Sequence, residues 1–145
     1  MANDRSVSGG CLCGAVRFEV DLPTSFCGHC HCGMCRRNHG AGYVTWVGLP
    51  DSQFRILAGE DQLVAYVSSE HGVRSFCRTC GSSLTCVSSQ HPGRVDVPLA
   101  NFHGAIDRDP QLHIYFDDRA DWVAVADDLP KLGGKSGIEP RSDGD

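Results

Sequence analysis

The sequence predicts an all-β domain, because it combines strand-like periodicity with closely spaced turns. Val16, Phe18 and Val20 alternate with polar residues, which is the period of a strand with one buried face. Other short segments are rich in β-branched and aromatic residues, and Gly, Pro, Asp and Ser separate them. The expected strands are residues 16–20, 42–47, 54–57, 63–67, 73–77, 84–87, 95–99 and 113–116.

Helical content is expected to be small. Residues 32–38 are predicted to form a single helical turn, and residues 119–126 a short helix or another strand. A chain of 145 residues is long enough for one compact domain, which we assign to residues 1–132. Residues 133–145 lack apolar periodicity and are expected to be a disordered tail.

Charge and hydropathy exclude several functional classes. The formal net charge of −5 argues against a protein that binds nucleic acid through its phosphates. No apolar run approaches the roughly 18 residues that cross a bilayer, so no membrane association is expected. The first ten residues, MANDRSVSGG, contain no apolar segment of the kind that directs secretion. We therefore expect a cytoplasmic protein, whose thiols stay reduced.

Nine cysteines in a reducing compartment need an explanation other than disulfide bonds. An odd number also fits a disulfide framework poorly. Several of these cysteines lie only two or three residues apart, a spacing that suits several sulfurs binding one metal ion. The sequence therefore predicts metal sites.

The first group consists of two short pairs that are far apart in the chain, namely Cys11 with Cys13 and Cys77 with Cys80. Gly14 follows the first pair and Gly81 the second, as in a zinc knuckle, where glycine turns bring backbone N–H groups close to the sulfurs. Together the pairs predict a closed, structural four-cysteine zinc site. The alternative, four buried free cysteines, is disfavoured by the spacing.

The second group is denser and lies in the segment CGHCHCGMC, residues 27–35. In an extended segment Cys30 and Cys32 point the same way, and a turn through Gly33 would bring Cys35 back towards them. Three thiolates would leave one position of a zinc ion open, which is typical of a reactive site. If Cys27 or His29 supplied a fourth ligand, the site would instead be closed and structural.

Other residues near this group have two interpretations each. His29 and His31 could be ligands or bases, although a histidine beside a metal site more often orients a ligand or substrate. Arg36 and Arg37 are either a solvated pair or a clamp for a substrate carboxylate. Cys86 is interpreted as a small buried hydrophobic residue.

These motifs resemble the glutathione-dependent formaldehyde-activating enzyme family, which also includes centromere protein V. The resemblance rests on three segments, GCLCGAVRF at 10–18, CHCGMCRR at 30–37 and FCRTCG at 76–81. Residues 110–114, Trp122 and residues 128–130 are similar to the family's C-terminal segment. The resemblance implies a β-tent of packed antiparallel sheets that carries two zinc ions. The structural zinc would be held by Cys11, Cys13, Cys77 and Cys80, and the catalytic one by Cys30, Cys32 and Cys35.

The resemblance also implies a carbon–sulfur lyase that adds glutathione to formaldehyde and gives S-(hydroxymethyl)glutathione. A thiol substrate would occupy the open position of the second zinc, where metal binding lowers its pKa. Arg36 and Arg37 would bind the carboxylates of that substrate. The alternative hypothesis is a zinc-binding interaction module without catalysis, and only the enzyme requires an exchangeable ligand position.

Overall fold

The structure, a computed structural model, describes residues 5–141 and confirms the expected all-β architecture of packed antiparallel sheets. Its one α-helix within this range is α1, Gly33–His39, and short 3-10 turns cover Asp51–Gln53, Glu60–Gln62, Leu99–Asn101 and Phe116–Asp118. The strands are β1 Ser6–Gly10, β2 Arg17–Asp21, β3 Phe26–Cys30, β4 Val44–Pro50, β5 Phe54–Ala58, β6 Leu63–Val67, β7 Gly72–Cys77, β8 Ser83–Ser88, β9 Arg94–Pro98, β10 His113–Ile114, β11 Leu132–Gly133 and β12 Glu139–Pro140.

Two sheets form the body of the protein. The small sheet has the strand order β1-β2-β5, and the large sheet the order β10-β3-β4-β9-β8-β7-β6. Every pair in these sheets is antiparallel except β10 with β3, which is parallel. The parallel pair places residues 113 and 114 beside the cysteine-rich strand β3.

The core lies between the two sheets. The alternating residues Val16, Phe18 and Val20 are fully buried and pack in one cluster with Val47 and other residues of the large sheet. The Phe18 ring lies 5.4 Å from the rings of both Phe54 and Phe102. The period-2 pattern of β2 therefore marks the inner face of the small sheet.

Seven of the eight predicted strands appear close to their expected positions. The eighth is shorter, because β10 ends at Ile114 and a 3-10 turn begins at Phe116. Residues 119–126 form neither the helix nor the strand expected of them. The predicted helical turn is α1, which begins after Cys32 and ends before Gly40. Within residues 5–141 no helix has the length and apolar character needed to cross a membrane.

The segment expected to be a disordered tail has structure as far as residue 141. Strands β11 and β12 pair with each other, and Asp117 holds the segment through the Gly134 N–H and the Arg141 guanidinium, both at 2.8 Å. The segment lacks apolar periodicity, which predicted disorder, but its glycines shape a turn that packs on residues 115–118. Residues 142–145 lie outside the described residues.

Candidate metal centres

The four-cysteine cluster consists of Cys11, Cys13, Cys77 and Cys80, and it joins two turns that are far apart in sequence. One turn follows β1 of the small sheet, and the other connects β7 with β8 of the large sheet. Gly14 and Gly81 have φ values of +82° and +80°, a backbone conformation that other residues rarely adopt. This requirement accounts for the glycine after each cysteine pair.

The geometry of the four-cysteine cluster fits a tetrahedral metal ion. The Sγ atom of Cys13 lies 3.6 Å from that of Cys11 and 3.8 Å from that of Cys77, and all four sulfurs lie within 4.8 Å of one another. Sulfurs bound to one zinc at about 2.3 Å in a tetrahedron lie about 3.8 Å apart. The cluster therefore has the spacing that a closed four-thiolate site requires.

Hydrogen bonds favour the thiolate form of two members of this cluster, Cys11 and Cys80, whereas the pKa of Cys13 is raised to about 11. Burial raises the pKa of Cys11, but the Val16 N–H, 3.2 Å from its sulfur, and the thiols of Cys13 and Cys77 lower it below its usual value. The Ser82 hydroxyl, 3.2 Å from the Cys80 sulfur, is the main cause that lowers the pKa of Cys80 to about 5. Thiolates are the form in which cysteine binds metal.

The three-cysteine cluster consists of Cys30, Cys32 and Cys35, whose sulfurs lie within 4.8 Å of one another. Cys30 ends β3, Cys32 caps the N-terminus of α1, and Cys35 lies in the first turn of that helix. The Cys35 N–H donates to the Cys32 sulfur at 3.3 Å. The sequence-predicted turn through Gly33 is thus the start of α1.

Cys27 does not join the three-cysteine cluster. It is fully buried in the core between the sheets, and burial raises the pKa of its thiol to about 11. Residues 27 and 30 of one strand point to opposite faces, which explains the separation. Within residues 5–141, this cluster therefore contains three cysteine sulfurs.

Two hydrogen-bond donors stabilise negative charge on Cys35 in the three-cysteine cluster. Its sulfur accepts hydrogen bonds from the Trp46 indole N–H and the Arg74 guanidinium, both at 3.4 Å. The thiols of Cys30 and Cys32, and then the nearby Arg74 cation, lower the pKa of Cys35 to about 2 against the opposing effect of burial. The Nη1 atom of Arg74 is buried and has no hydrogen-bond partner within residues 5–141.

A second cluster of polar side chains lies behind the cysteines and contains three histidines. His29 is hydrogen-bonded through Nδ1 to Thr45 Oγ1 at 2.8 Å, and His31 Nε2 lies 2.8 Å from His113 Nδ1. Both carboxylate oxygens of Asp127 lie 3.0 Å from His113 Nε2. Burial, followed by the charge of His113, lowers the pKa of His31 to about 4. His31 is therefore neutral at physiological pH.

Arg36 and Arg37 differ in their surroundings. The Arg36 guanidinium donates to the backbone carbonyls of His31 at 3.2 Å and of Asp118 at 3.1 Å, so it ties α1 to the turn at residues 116–118. Arg37 is exposed. The Arg74 guanidinium, in contrast, contacts the sulfur of Cys35 directly.

Sequence reasoning missed several residues around the three-cysteine cluster. Arg74 is 39 residues from Cys35, and Trp46 approaches it from the neighbouring strand. Tyr115 and Cys86 pack at the same cluster, and Tyr115 has a φ of +53°, which is unusual for a non-glycine residue. No local motif marks these residues, because the sheet brings them together.

These features define a class of protein, a small all-β domain with two cysteine clusters that could each hold a metal ion. Comparison with known proteins agrees with this class. Residues 6–118 match the family described as glutathione-dependent formaldehyde-activating enzyme, and the chain therefore belongs to that family.

Two relatives illustrate the match. A protein of Halomonas elongata, whose name assigns it provisionally to the same family, is 27% identical over 126 residues, or 82% of this chain and 80% of its own length. A crystal structure of a Rhodobacter sphaeroides protein is 30% identical, with a TM-score of 0.59. That comparison covers 69% of this chain and 91% of the other. The resemblance stated from the cysteine motifs is confirmed.

The four-cysteine cluster is predicted to be required for folding. Metal binding that joins distant segments contributes its free energy to the folded state. We expect Cys77→Ser to lose one metal ion per chain and to be insoluble or strongly destabilised, whereas Cys86→Ser should keep its metal content. Metal analysis and thermal unfolding measure both effects. A Cys77→Ser protein with unchanged metal content and unchanged melting temperature would contradict this role.

Arg74 is predicted to stabilise the metal bound by the three-cysteine cluster. Removal of a group that hydrogen-bonds a metal ligand commonly lowers metal affinity about 10- to 100-fold. We expect Arg74→Met to show a loss of this size for one metal ion, measured by competition with a chromogenic chelator. Arg78→Met, which removes an exposed arginine beside the four-cysteine cluster, is the control. Equal affinities in both variants and the unmodified protein would exclude this role for Arg74.

Proposed function

We propose that the protein is a zinc-dependent carbon–sulfur lyase that joins a thiol such as glutathione to a small electrophilic aldehyde such as formaldehyde. The observation that carries the proposal is the convergence of Cys30, Cys32 and Cys35 while Cys27 lies in the core. A tetrahedral zinc held by three cysteines keeps one position for an external ligand. Membership of the formaldehyde-activating family supports a thiol as that ligand.

Zinc held by the three cysteines would supply a substrate sulfur in its thiolate form at neutral pH. Three cysteine thiolates outweigh the charge of a divalent ion, and a fourth thiolate would add further negative charge. The Arg74 cation, hydrogen-bonded to Cys35, partly offsets that charge. Its buried and unpartnered Nη1 provides a further donor for an anionic ligand.

The proposed reaction consists of one addition. The thiol loses its proton, its sulfur forms a bond to the carbonyl carbon, and the π-electron pair of the C=O bond moves to oxygen. The oxygen then takes up a proton, so nothing is oxidised or reduced. The three cysteines would hold the zinc ion that binds the substrate sulfur, and Arg74 contributes its positive charge. The four-cysteine cluster would hold a second, structural zinc.

Arg36 and Arg37 are proposed to bind the carboxylates of the thiol substrate. Both follow Cys35 in α1, so a carboxylate held there would be close to the reactive sulfurs. Arg36 already donates to two backbone carbonyls, which fixes the position of its guanidinium. A fixed guanidinium loses little freedom when it binds a carboxylate.

If the protein catalyses this reaction, exchange between free glutathione and its formaldehyde adduct should be faster with the protein than without it. We expect zinc-loaded protein to increase this exchange rate in a mixture of glutathione and 13C-formaldehyde, measured by exchange NMR, without changing the equilibrium. Cys35→Ser should lose the effect, and Cys86→Ser, which alters a neighbouring cysteine outside the three-cysteine cluster, should keep it.

The result also separates the enzyme from the alternative, a zinc-binding module without catalysis. If zinc-loaded protein leaves the exchange rate unchanged, the enzymatic proposal is wrong. The family assignment and the two metal clusters would then still stand.

If Arg36 and Arg37 bind the carboxylates, the protein should bind glutathione with higher affinity than its diethyl ester. Calorimetric titration should show that the unmodified protein binds glutathione about tenfold or more tightly than the ester, since charged hydrogen bonds contribute about 1.5–3 kcal/mol. Arg36→Ala should bind both ligands equally, and Arg37→Ala should lose the preference to a smaller extent. A purely structural role of Arg36 would leave the preference intact, and that result would remove Arg36 from the substrate site.

A further inference from the structure

The two faces of strands β3 and β4 carry different chemistry. Cys30 lies opposite Val44, and the cysteine cluster packs on that side together with Trp46. His29 lies opposite Thr45, and its ring packs at 4.8 Å from both Tyr43 and His113. Because neighbouring residues of a strand point to opposite faces, the histidines form a separate site behind the cysteines.

Three side chains of this second face converge. His29, His113 and Asp127 each offer a ligand atom, and these atoms lie within 4.8 Å of one another. The parallel pairing of β10 with β3 places His113 beside His29, and the His113 N–H donates to the Pro130 carbonyl at 2.9 Å. This last bond brings the segment that contains Asp127 to the histidines.

Each of the three side chains is held by a hydrogen bond to an atom that would not bind the metal ion. Thr45 Oγ1 contacts His29 Nδ1 at 2.8 Å, and His31 Nε2 contacts His113 Nδ1 at 2.8 Å. The Leu129 N–H donates to Asp127 Oδ1 at 3.0 Å. An ion would be bound by His29 Nε2, His113 Nε2 and Asp127 Oδ2, and it would replace the hydrogen bond that joins the last two atoms at 3.0 Å without an ion. Metal ligands in proteins characteristically have such outer partners.

We infer that His29, His113 and Asp127 form a third metal site, distinct from both cysteine clusters, that binds a divalent transition-metal ion through two imidazoles and one carboxylate. This ligand set suits zinc and other first-row divalent ions and leaves positions open for water or another ligand. His113 is buried, whereas the Asp127 side chain is 42% exposed, so an ion can enter from the side of Asp127.

A bound ion would also fix the tautomer of His113. With an ion at Nε2, the proton of the ring lies on Nδ1 and is donated to His31 Nε2. Without an ion, the His113 Nε2–H donates to Asp127, and the same residues form only a hydrogen-bonded chain. The two states differ in the number of ions that the protein binds.

Equilibrium dialysis of zinc-loaded protein at buffered micromolar free zinc tests the inference. We expect three zinc ions per chain for the unmodified protein, two for Asp127→Asn and three for Asp128→Asn, which removes the same charge from the adjacent exposed residue. Thr45→Val should weaken the third ion about 10- to 100-fold, because it removes the partner of His29.

Cobalt substitution separates this site from the cysteine clusters. Cobalt bound by thiolates absorbs strongly in the near ultraviolet, and we expect this band to be the same in Asp127→Asn and the unmodified protein. Saturation of the unmodified protein at two zinc ions would overturn the inference. Retention of a third ion of equal affinity in both Asp127→Asn and Thr45→Val would overturn it as well. Neither outcome depends on whether the protein accelerates the glutathione reaction.

Discussion

Four sulfur atoms drawn from two glycine turns, one after β1 and one between β7 and β8, connect the small sheet to the large sheet. The chain between Cys13 and Cys77 forms a long closed loop, and the closure of such a loop costs conformational entropy. Four thiolates at mutual contact also repel one another unless a cation lies between them. A metal ion bound there would offset both costs, and Cys11 and Cys77 lie in the same buried cluster as Phe18.

The alternation of side chains along β3 determines where the two kinds of candidate metal ligand lie. One face of this strand presents Cys30 to α1 and Trp46, and the other presents His29 to Thr45 and His113. The strand thereby separates sulfur ligands from nitrogen and oxygen ligands over the thickness of one sheet. Soft thiolates and harder imidazole and carboxylate groups favour different coordination chemistry, so the two faces can bind ions independently.

The sequence predicts the parts of this protein that depend on local pattern. Short amphipathic segments marked most strands, and closely spaced cysteines marked both sulfur clusters. Strand β3 was not predicted, because the composition FCGHC resembles a metal-binding loop more than a strand. The structure of residues 132–141 was also not predicted, because hydrogen bonds to Asp117, which lies outside the segment, hold it.

Residues contributed by distant strands could not be predicted from the sequence. Arg74 reaches Cys35 only through the register of the large sheet. His113 and Asp127 reach His29 only because β10 pairs in parallel with β3, and parallel pairs carry no turn signal in the sequence. The sequence therefore identifies the sulfur ligands, while the charge and hydrogen bonds around them follow from the tertiary fold.

The central claim is that the two cysteine clusters bind zinc in different ways, one closed by the chain and one open to an external thiol. An anomalous-scattering map at the zinc edge, from crystals soaked with glutathione, tests it most directly. We expect one zinc surrounded by four cysteine sulfurs, and another bound by Cys30, Cys32 and Cys35 with the glutathione sulfur as its fourth ligand. Absence of zinc from the three-cysteine cluster, or a fourth ligand supplied there by the chain itself, would contradict the account.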